Sequence, residues 1–188
     1  MKFILSRPEL AALIGKIQSI VSSKPTIPIL ANILLEAAND QITISATDLI
    51  ISMQIHMDAK VIEEGAITIP AKRFFQLTRE ITAPEITVEC TSQEIVLIQA
   101  GSSKFRLNGL HKSEFPSLPT LEHGQNFTIV GTTFKEMLSK SVFAAAKEDS
   151  RHVLNGVLMH IEKSQATFIG TDGKRLAKIF TSIELDAE

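Results

Sequence analysis

The chain contains an internal repeat, and this feature limits the possible folds more than any other. When the sequence is laid over itself with Phe3 on Phe127, a shift of 127 − 3 = 124 residues, matches recur in one register without a gap. The further identities are Lys16 on Lys140, Leu30 on Leu154, Gln41 on Gln165, Thr43 on Thr167, and Thr47-Asp48 on Thr171-Asp172. Because self-similarity at a fixed shift indicates repeated structural units, we infer an ancient duplication of one fold.

Each copy is predicted to open with a short strand and an amphipathic helix. Ser6 and Glu9 have capping-box spacing in the first copy, and Thr133 and Glu136 have it in the second, so the two helix starts are expected to differ by a few residues. A second helix is expected from near Pro70. Apolar alternation predicts strands at about 30–36, 41–47, 50–59, 85–91, 94–99 and 104–108.

The segment "SEFPSLPTLEHGQ", with Pro116, Pro119 and Gly124, has the composition of a linker. We therefore predict an α+β fold of two copies, with helices packed on antiparallel sheets. Residues 1–120 form the complete copy, and residues 121–188 form the N-terminal half of the second. Glu188 corresponds to position 188 − 124 = 64 of the first copy, and the intact apolar pattern up to that point favours a fragment of a longer protein.

The composition narrows the class of protein. An apolar fraction of 44% and a charged fraction of 21% are typical of a globular chain, and no apolar run approaches the ~18 residues of a spanning helix. Cys90 is the one cysteine, which excludes an internal disulfide and suits a reducing cytoplasm. A net charge of −2 gives no overall attraction to nucleic acid, so such contacts require local basic patches.

Catalytic and metal-binding motifs are not found in the sequence. The five histidines form no i, i+4 pair and have no accompanying cysteine, so zinc-site spacing is absent. The sequence also has no nucleophile elbow, phosphate loop or kinase signature. We therefore expect neither a metal, nor a cofactor, nor an enzyme activity.

The stretch "TDGKRL", residues 171–176, follows Gly170 and resembles a phosphate loop. Only two residues separate Gly170 from Gly173, however, and Arg175 stands where a hydroxyl is needed. Asp172-Gly173 between two apolar runs instead predicts a hairpin turn capped by the Asp side chain. The first copy has "TDLII" at the same place. The shared Thr-Asp indicates scaffold, and the residues that diverge after it are the candidate site.

Basic residues are ordered along the predicted helices. Lys72, Gln76 and Arg79 share one face of the second helix, and Lys16 and Lys140 occupy equivalent positions in the two copies. Lys147, seven residues after Lys140, is expected on the same face. Two interpretations remain open: an ordinary solvated helix face, or a mildly basic surface that contacts phosphates without reading bases.

Several stretches together resemble one family, the bacterial DNA polymerase sliding clamp, the β subunit of DNA polymerase III. They are "MKF", "SKPTIPILANILLEA", "TDL", "TIPAKRFFQLTRE", "SEFPSLP", "VLNGVL" and "GTDGKRLA", in order along the whole chain. The resemblance implies a chain of three copies of one fold, with helices inside and sheets outside. Two such chains would close head to tail around duplex DNA, and the present residues would be the first domain and about half of the second.

The resemblance also implies site residues. Positions matching the family's DNA-facing residues are Lys24, Lys72, Arg73, Arg79, Lys147 and Arg151. The wall of a pocket for short linear peptides would comprise Leu154, Thr171, Gly173, Lys174, Arg175 and Leu176. Leu154 and Leu176 would receive apolar anchors, and Arg175 would pair with peptide backbone or an acid. The dimer interface would include Lys104, Phe105, Arg106 and Leu107.

The implied partners are duplex DNA and, through short peptides, the replicative polymerase catalytic subunit, the clamp loader and repair polymerases. The full-length chain is expected to be a cytoplasmic homodimer without membrane contact. An alternative hypothesis is a protein-interaction module that uses the same duplicated fold without DNA. Loading on circular as against linear DNA would separate the two, since a ring slides off linear ends.

Overall fold

The computed structural model describes residues 1–21, 25, 27–118 and 127–185. Lys24 and residues 119–126, which include the C-terminal part of the predicted linker, lie outside these described residues. The chain divides into two units, Met1–Pro119 and Thr120–Glu188.

Unit 1 consists of two antiparallel sheets and two helices. The helices are α1 (Arg7–Ile17) and α2 (Ala71–Glu80), and the strands are β1 (Lys2–Ser6), β2 (Asn32–Ala38), β3 (Gln41–Thr47), β4 (Ser52–Asp58), β5 (Lys60–Glu63), β6 (Gly65–Pro70), β7 (Glu85–Cys90), β8 (Ile95–Ala100) and β9 (Ser103–Asn108). One sheet has the order β5-β1-β7-β8-β9, and the other has the order β4-β3-β2-β6.

The helices of unit 1 follow from their apolar spacing. Leu10, Ile14 and Ile17 of α1 recur at intervals of four and three residues, and all three are buried in the core shared with the two sheets. Phe74 is fully buried on α2, whose remaining face carries Lys72, Arg73 and Arg79 in solvent. The second helix thus begins where Pro70 predicts, with that proline as its N-cap residue.

Unit 2 repeats the first part of this arrangement. Its elements are β10 (Phe127–Thr128), α3 (Gly131–Val142), a 3₁₀ helix (His152–Asn155), β11 (Leu158–Glu162), β12 (Gln165–Thr171), β13 (Leu176–Ser182) and β14 (Glu184–Leu185). Strands β11, β12 and β13 form an antiparallel sheet in that order, and β10 pairs with β14. The core of this unit centres on Met137, Ala166, Phe168 and Ile183.

The two units match at the shift of 124 residues that the sequence predicts. Helices α1 and α3 begin at equivalent residues. Unit 1 also has a 3₁₀ helix (Pro28–Ala31), and its bounds are equivalent to those of the 3₁₀ helix of unit 2. Strands β3 and β12 agree at both ends, as do β4 and β13. Strand register agrees as well, because Leu34 pairs with Ser45 in unit 1 and Leu158 pairs with Ile169 in unit 2. The predicted duplication of one α+β fold is therefore visible residue by residue.

The predicted helix caps are wrong in detail. Ser6 precedes α1, but its side chain makes no capping hydrogen bond. Helix α3 begins after Val130, so Thr133 lies inside the helix and the two helix starts are equivalent rather than offset. In unit 1 the amide of Arg7 donates to the Pro84 carbonyl oxygen at 2.9 Å. The end of the preceding strand and this tertiary bond, rather than a capping side chain, set the start of the helix.

Three further predictions need correction. Helix α3 ends at Val142, so Lys147 lies beyond it and does not share a helical face with Lys140. The strand predicted from residue 50 begins at Ser52, because residues 48–51 form a turn. The first part of the predicted linker is also packed: Phe115 is buried against Ile29 and Leu30. Apolar contacts thus hold residues that the proline content assigns to a linker.

Candidate functional site: a capped turn and its basic surroundings

The turn after β12 is held by side chains of its own first two residues. Thr171 Oγ1 donates to the Arg175 carbonyl oxygen at 2.7 Å and accepts from the Gly173 amide at 3.1 Å. Asp172 Oδ1 accepts from the amides of Lys174 and Arg175 at 2.9 and 3.0 Å. Gly173 has φ +84°, a conformation that glycine adopts without steric cost. The Asp side chain therefore caps the turn, as the sequence predicts.

The turn after β3 in unit 1 has the same hydrogen bonds at the equivalent atoms. Thr47 Oγ1 donates to the Ile51 carbonyl oxygen at 3.1 Å and accepts from the Leu49 amide at 3.0 Å. Asp48 Oδ1 accepts from the amides of Ile50 and Ile51 at 2.9 and 2.6 Å. Leu49 stands where unit 2 has Gly173, and its φ of +77° is nearly the same.

The side chains that the two turns expose are opposite in character. Unit 1 presents Leu49, Ile50 and Ile51, of which Ile50 is 91% exposed. Unit 2 presents Lys174 and Arg175, followed by Leu176 at 64% exposure at the start of β13. One scaffold thus carries an apolar tip in one unit and a basic tip with one leucine in the other.

Arg175 is fixed from two sides. Its Nε donates to Asp172 Oδ2 at 3.0 Å, and its guanidinium carbon lies 6.0 Å from the centroid of the Phe143 ring. The amides of Lys174 and Arg175, together with the Arg175 side chain, hold the pKa of the Asp172 carboxyl below its ordinary value. Phe143 itself is 59% exposed. Its outward position, which the helical pattern of α3 does not explain, is accounted for by this contact with Arg175.

Arg151, a predicted DNA contact, lies beside the same turn. Its guanidinium nitrogens are 3.5 Å from the point where a Cβ on Gly173 would sit. Arg151 Nε and Nη2 donate to the two carboxylate oxygens of Asp149 at 3.0 and 2.9 Å. These side-chain hydrogen bonds and the hydrogen bond from the Arg151 amide lower the pKa of Asp149 to about 2. The charge of Arg151 is therefore already paired within unit 2.

Leu154 belongs to the 3₁₀ helix and is half-buried, and its carbonyl oxygen accepts from the Ala146 amide at 2.9 Å. A cavity of about 450 Å³ lies between the end of α3 and the turn. Lys147, Asp172 and Arg175 border it, and so do Phe143 and Asn155. The structure thus brings Lys147, predicted as a DNA contact, together with part of the predicted peptide wall.

The other predicted DNA contacts are exposed cations on α2. Lys72, Arg73 and Arg79 all face solvent, and the Arg79 guanidinium carbon lies 5.6 Å from the Phe75 ring centroid. Lys16 on α1 is also exposed. Lys140, its equivalent on α3, is paired with Glu136 and offers less free charge.

The predicted dimer edge is β9, the outermost strand of the five-stranded sheet. Lys104, Phe105 and Arg106 are exposed on it. Leu107 is buried and pairs with Val96, so its side chain belongs to the core of unit 1.

Sequence reasoning placed Arg175 in the site but missed the contribution of Phe143. The available signal was an aromatic residue on the outer side of α3, whose partner could not be named because Arg175 is distant in sequence.

In the described ranges, no three His, Cys, Asp or Glu side chains are grouped to hold a metal ion. Among these residues, none of the helices has the length and apolar character needed to cross a membrane.

Comparison with known proteins assigns both units to one family. The model of the DNA polymerase III beta subunit N-terminal domain matches residues 1–119, and that of the central domain matches residues 128–188. A beta sliding clamp of Chlamydia muridarum is 46% identical over 186 residues, covering 99% of this chain and 51% of the relative. The beta sliding clamp of Escherichia coli K12 is 33% identical over 183 residues, covering 94% and 49%.

A solved structure agrees with this similarity. The DNA polymerase sliding clamp of Bacillus subtilis superposes with a TM-score of 0.92 at 27% identity, and the match covers 99% of this chain and 51% of the other. The chain therefore spans about half the length of the relatives it matches.

Proposed function

Because the chain belongs to the DNA polymerase III β subunit family, the bacterial sliding clamps, we propose that it is part of a noncatalytic processivity factor for DNA replication. The observation that carries this proposal is the match of both family domains, in order, to two units related by one repeat. The whole protein would close as a ring-shaped homodimer around duplex DNA in the cytoplasm. It would tether the polymerase to its template without taking part in phosphoryl transfer.

Duplex DNA would be held mainly by enclosure. The net charge of −2 gives no overall attraction to DNA, so the exposed cations of α2 would make weak contacts that salt screens. Lys72, Arg73 and Arg79 are the described residues best suited to this role, because their side chains lie free on one helix. Lys147 would add a further contact, and Lys24 completes the proposed set. Arg151 is a weaker candidate because its charge is neutralised by Asp149.

Ring closure would use the free edge of β9. A strand with one unpaired edge can add a partner strand through backbone hydrogen bonds, and Lys104, Phe105 and Arg106 would flank that contact. Leu107 would support the edge from within the core. The resemblance implies that this edge meets the third copy of the fold in a second chain. The 188 residues do not include a third copy, so we expect no head-to-tail ring from them alone. Analytical ultracentrifugation that found a closed ring of this chain would contradict that expectation.

Partner proteins would bind at the turn of unit 2. Leu154 and the exposed Leu176 would receive apolar anchors of short peptides from the replicative polymerase, the clamp loader or repair polymerases. Thr171 and Gly173 would maintain the turn, and Lys174 would supply positive charge. Arg175 is ion-paired with Asp172 through its Nε, so it would offer hydrogen bonds from its two terminal nitrogens. This assignment is supported by the contrast with unit 1, where the same turn carries neither the cations nor an equivalent leucine, since Ser52 stands at the position of Leu176.

The proposal is tested by loading the full-length protein of the natural reading frame onto nicked circular DNA and onto the same DNA after linearisation. A ring should be retained on the circle and lost from the linear ends. Equal retention on both forms would contradict encirclement, and no retention on either would favour an interaction module without DNA.

The phosphate contacts are tested with the same protein. Arg79→Ala should weaken DNA binding without changing sequence preference, and it should lower the slope of affinity against salt by about one. Lys178→Ala is the matched control, because Lys178 is an exposed cation on a sheet strand rather than on a helix.

A further inference from the structure

The chain leaves one sheet of unit 1 and joins the other directly after β9. Up to Asn108 the strand pairs with β8 of the five-stranded sheet, and the amide of Gly109 still donates to the Glu94 carbonyl oxygen at 2.8 Å. One residue later, Leu110 pairs with Thr68 of β6, the edge strand of the four-stranded sheet. The chain therefore crosses from one sheet to the other at Gly109.

Backbone contacts hold this crossing closely against β6. The Leu110 amide donates to the Thr68 carbonyl oxygen at 3.0 Å, and the Thr68 amide donates to the Leu110 carbonyl oxygen at 3.1 Å. A Cβ on Gly109 would lie 2.7 Å from the Thr68 carbonyl oxygen and 2.8 Å from Ile67 Cγ1. Because any larger residue would push the two strands apart, glycine is required here by space.

A buried polar network adds to the same crossing. Thr68 is fully buried, and its Oγ1 donates to the Leu110 carbonyl oxygen at 3.0 Å. The same hydroxyl accepts from Nδ2 of Asn32, which is also buried, at 3.3 Å. A polar group left without a partner in the core is destabilising, so the hydroxyl of Thr68 serves both of its neighbours at once.

The amide side of this network is specific to unit 1. Asn32 is equivalent to Gly156 at the shift of 124 residues, and glycine has no side chain that could donate. The fold that the two units share therefore does not require the carboxamide. Unit 1 differs by having β9, whereas no strand within residues 127–185 corresponds to it.

From this geometry we propose that Thr68 is a positioning residue for ring closure, because its hydroxyl holds Leu110 on β6 and so fixes the end of β9. Among the described strands, β9 has a neighbour on one side only. An edge that is already fixed loses less conformational freedom when a partner strand pairs with it. Thr68 is inaccessible to solvent, so it acts through β9 rather than by contact with the partner subunit. The inference rests on the proposed ring closure through β9.

The test measures subunit exchange in the full-length protein of the natural reading frame. Rings labelled with ¹⁵N are mixed with unlabelled rings, and the formation of mixed dimers is followed by native mass spectrometry. Thr68→Val keeps the shape of the side chain but removes the hydroxyl, which leaves Asn32 without its acceptor. This variant should exchange subunits about three- to tenfold faster than the wild type, the range that corresponds to one hydrogen bond.

Control variants separate positioning from general stability. Thr78 is also fully buried in unit 1, and its hydroxyl donates to the Phe75 carbonyl oxygen at 2.9 Å. Thr78→Val should leave the exchange rate unchanged whatever its effect on the free energy of unfolding, measured by urea denaturation. Thr68→Ser keeps the hydroxyl and should exchange like the wild type. Equal acceleration by the two valine variants would reduce Thr68 to a packing role and overturn the proposal.

A measurement on the wild-type protein needs no variant. Hydrogen exchange followed by NMR should show the Leu110 amide exchanging at least about tenfold more slowly than the amide of Ser102, at the exposed hairpin tip before β9. Equal rates would overturn the proposal, because the end of β9 would then not be held. Dimers that exchange at the same rate in wild type and Thr68→Val would overturn the positioning role alone. The absence of any wild-type dimer would overturn ring closure itself and the positioning role with it.

Discussion

The turns after β3 and β12 have the same backbone and different surfaces. Thr47-Asp48 and Thr171-Asp172 accept and donate the same four hydrogen bonds, and the third residue of each turn has a positive φ. After that point the first turn exposes aliphatic side chains and the second exposes two cations and Leu176. The comparison shows that the Thr-Asp pair is required by the turn, so its presence alone does not mark a binding site. We propose that the divergent residues do.

The surroundings of the two turns differ as well. In unit 1 the position of Leu154 is taken by Leu30, which is buried beneath Phe115. The position of Arg151 is taken by Ile27, which is exposed and carries no charge to neutralise. Phe143 is replaced by Ser19, so no aromatic ring is available at that position. The equivalent region of unit 1 therefore lacks the cation, the ring and the available leucine that unit 2 combines.

The largest expected effect is on peptide binding. Leu176→Asp should abolish binding of a fluorescent polymerase-tail peptide to the full-length protein, because burying a leucine-sized anchor is worth roughly 1.5–3 kcal/mol and the new carboxylate would be desolvated. Lys174→Ala should change binding little. Ser52→Asp, at the equivalent position of unit 1, is the matched control and should bind like wild type, with thermal melting used to check folding. Equal binding by Leu176→Asp and wild type would remove the peptide site from this turn.

The next effect concerns the packing of α3 on β12. A Cβ on Gly170 would overlap the Ser141 carbonyl oxygen, whereas the equivalent residue of unit 1 is Ala46, fully buried. Gly170→Ala should lower the free energy of unfolding of unit 2 by about 1–3 kcal/mol, measured by urea denaturation. Gly156→Ala is the control, because a Cβ there meets no atom within 4 Å. Similar stabilities of the two variants would mean that α3 can move away from β12 without cost.

A smaller effect is expected at the third residue of the unit 1 turn. A positive φ destabilises a non-glycine residue by about 1–2 kcal/mol, and a change to glycine removes this strain. Glycine loses more conformational entropy on folding, which offsets about 0.5–1 kcal/mol of the stability gained. Leu49→Gly should therefore stabilise unit 1 by up to about 1 kcal/mol, and Gly173→Ala should destabilise unit 2. Urea denaturation of both variants and of the wild type measures these changes in the free energy of unfolding. A less stable Leu49→Gly would show that the leucine side chain makes a contact that outweighs the strain.

The smallest effect is electrostatic. Turn amides lower the pKa of both Asp48 and Asp172, and Arg175 lowers that of Asp172 further. A depressed carboxyl pKa contributes stability at neutral pH, and this contribution is lost as the pH falls through the folded-state value, below the ordinary ~3.9 of aspartate. Arg175→Gln should raise the pKa of Asp172 in part and leave Asp48 unchanged, as followed by carboxyl ¹³C NMR. A complete return of Asp172 to its ordinary pKa would mean that the amides are not the main cause.

Sequence reasoning predicted the repeat and the turn because both depend on local, ordered identities. The shift of 124 residues between Phe3 and Phe127 also relates the strand pairing of the two units. The register is preserved because a slip of one residue would turn every buried side chain of a strand outward. The resemblance to the clamp family supplied the fold of the chain. The Asp172 cap followed from residue type alone, because Asp bonds to amides two and three residues ahead of it.

The missed features depend on distances between parts of the chain that sequence patterns do not give. The contact of Phe143 with Arg175 needs α3 to end at Val142 and the guanidinium to fold back over the ring. The pairing of Arg151 with Asp149 depends on a side-chain rotamer in a short loop. The predicted cap of α1 failed because the end of β1 and the hydrogen bond from the Arg7 amide to Pro84 mark the helix start, and that of α3 failed because the helix begins before Thr133. Positive φ at Leu49 becomes predictable only after its equivalence to Gly173 is recognised.

One methyl NMR titration of the full-length protein tests the central claim most directly, because both turns report in the same sample. A polymerase-tail peptide is added, and the methyl signals of Leu154 and Leu176 are compared with those of Leu30 and Leu49. We predict saturable shifts at Leu154 and Leu176 and none at Leu30 and Leu49. Shifts of equal size in both pairs, or shifts confined to Leu30 and Leu49, would contradict the assignment of the peptide site to the divergent turn of unit 2.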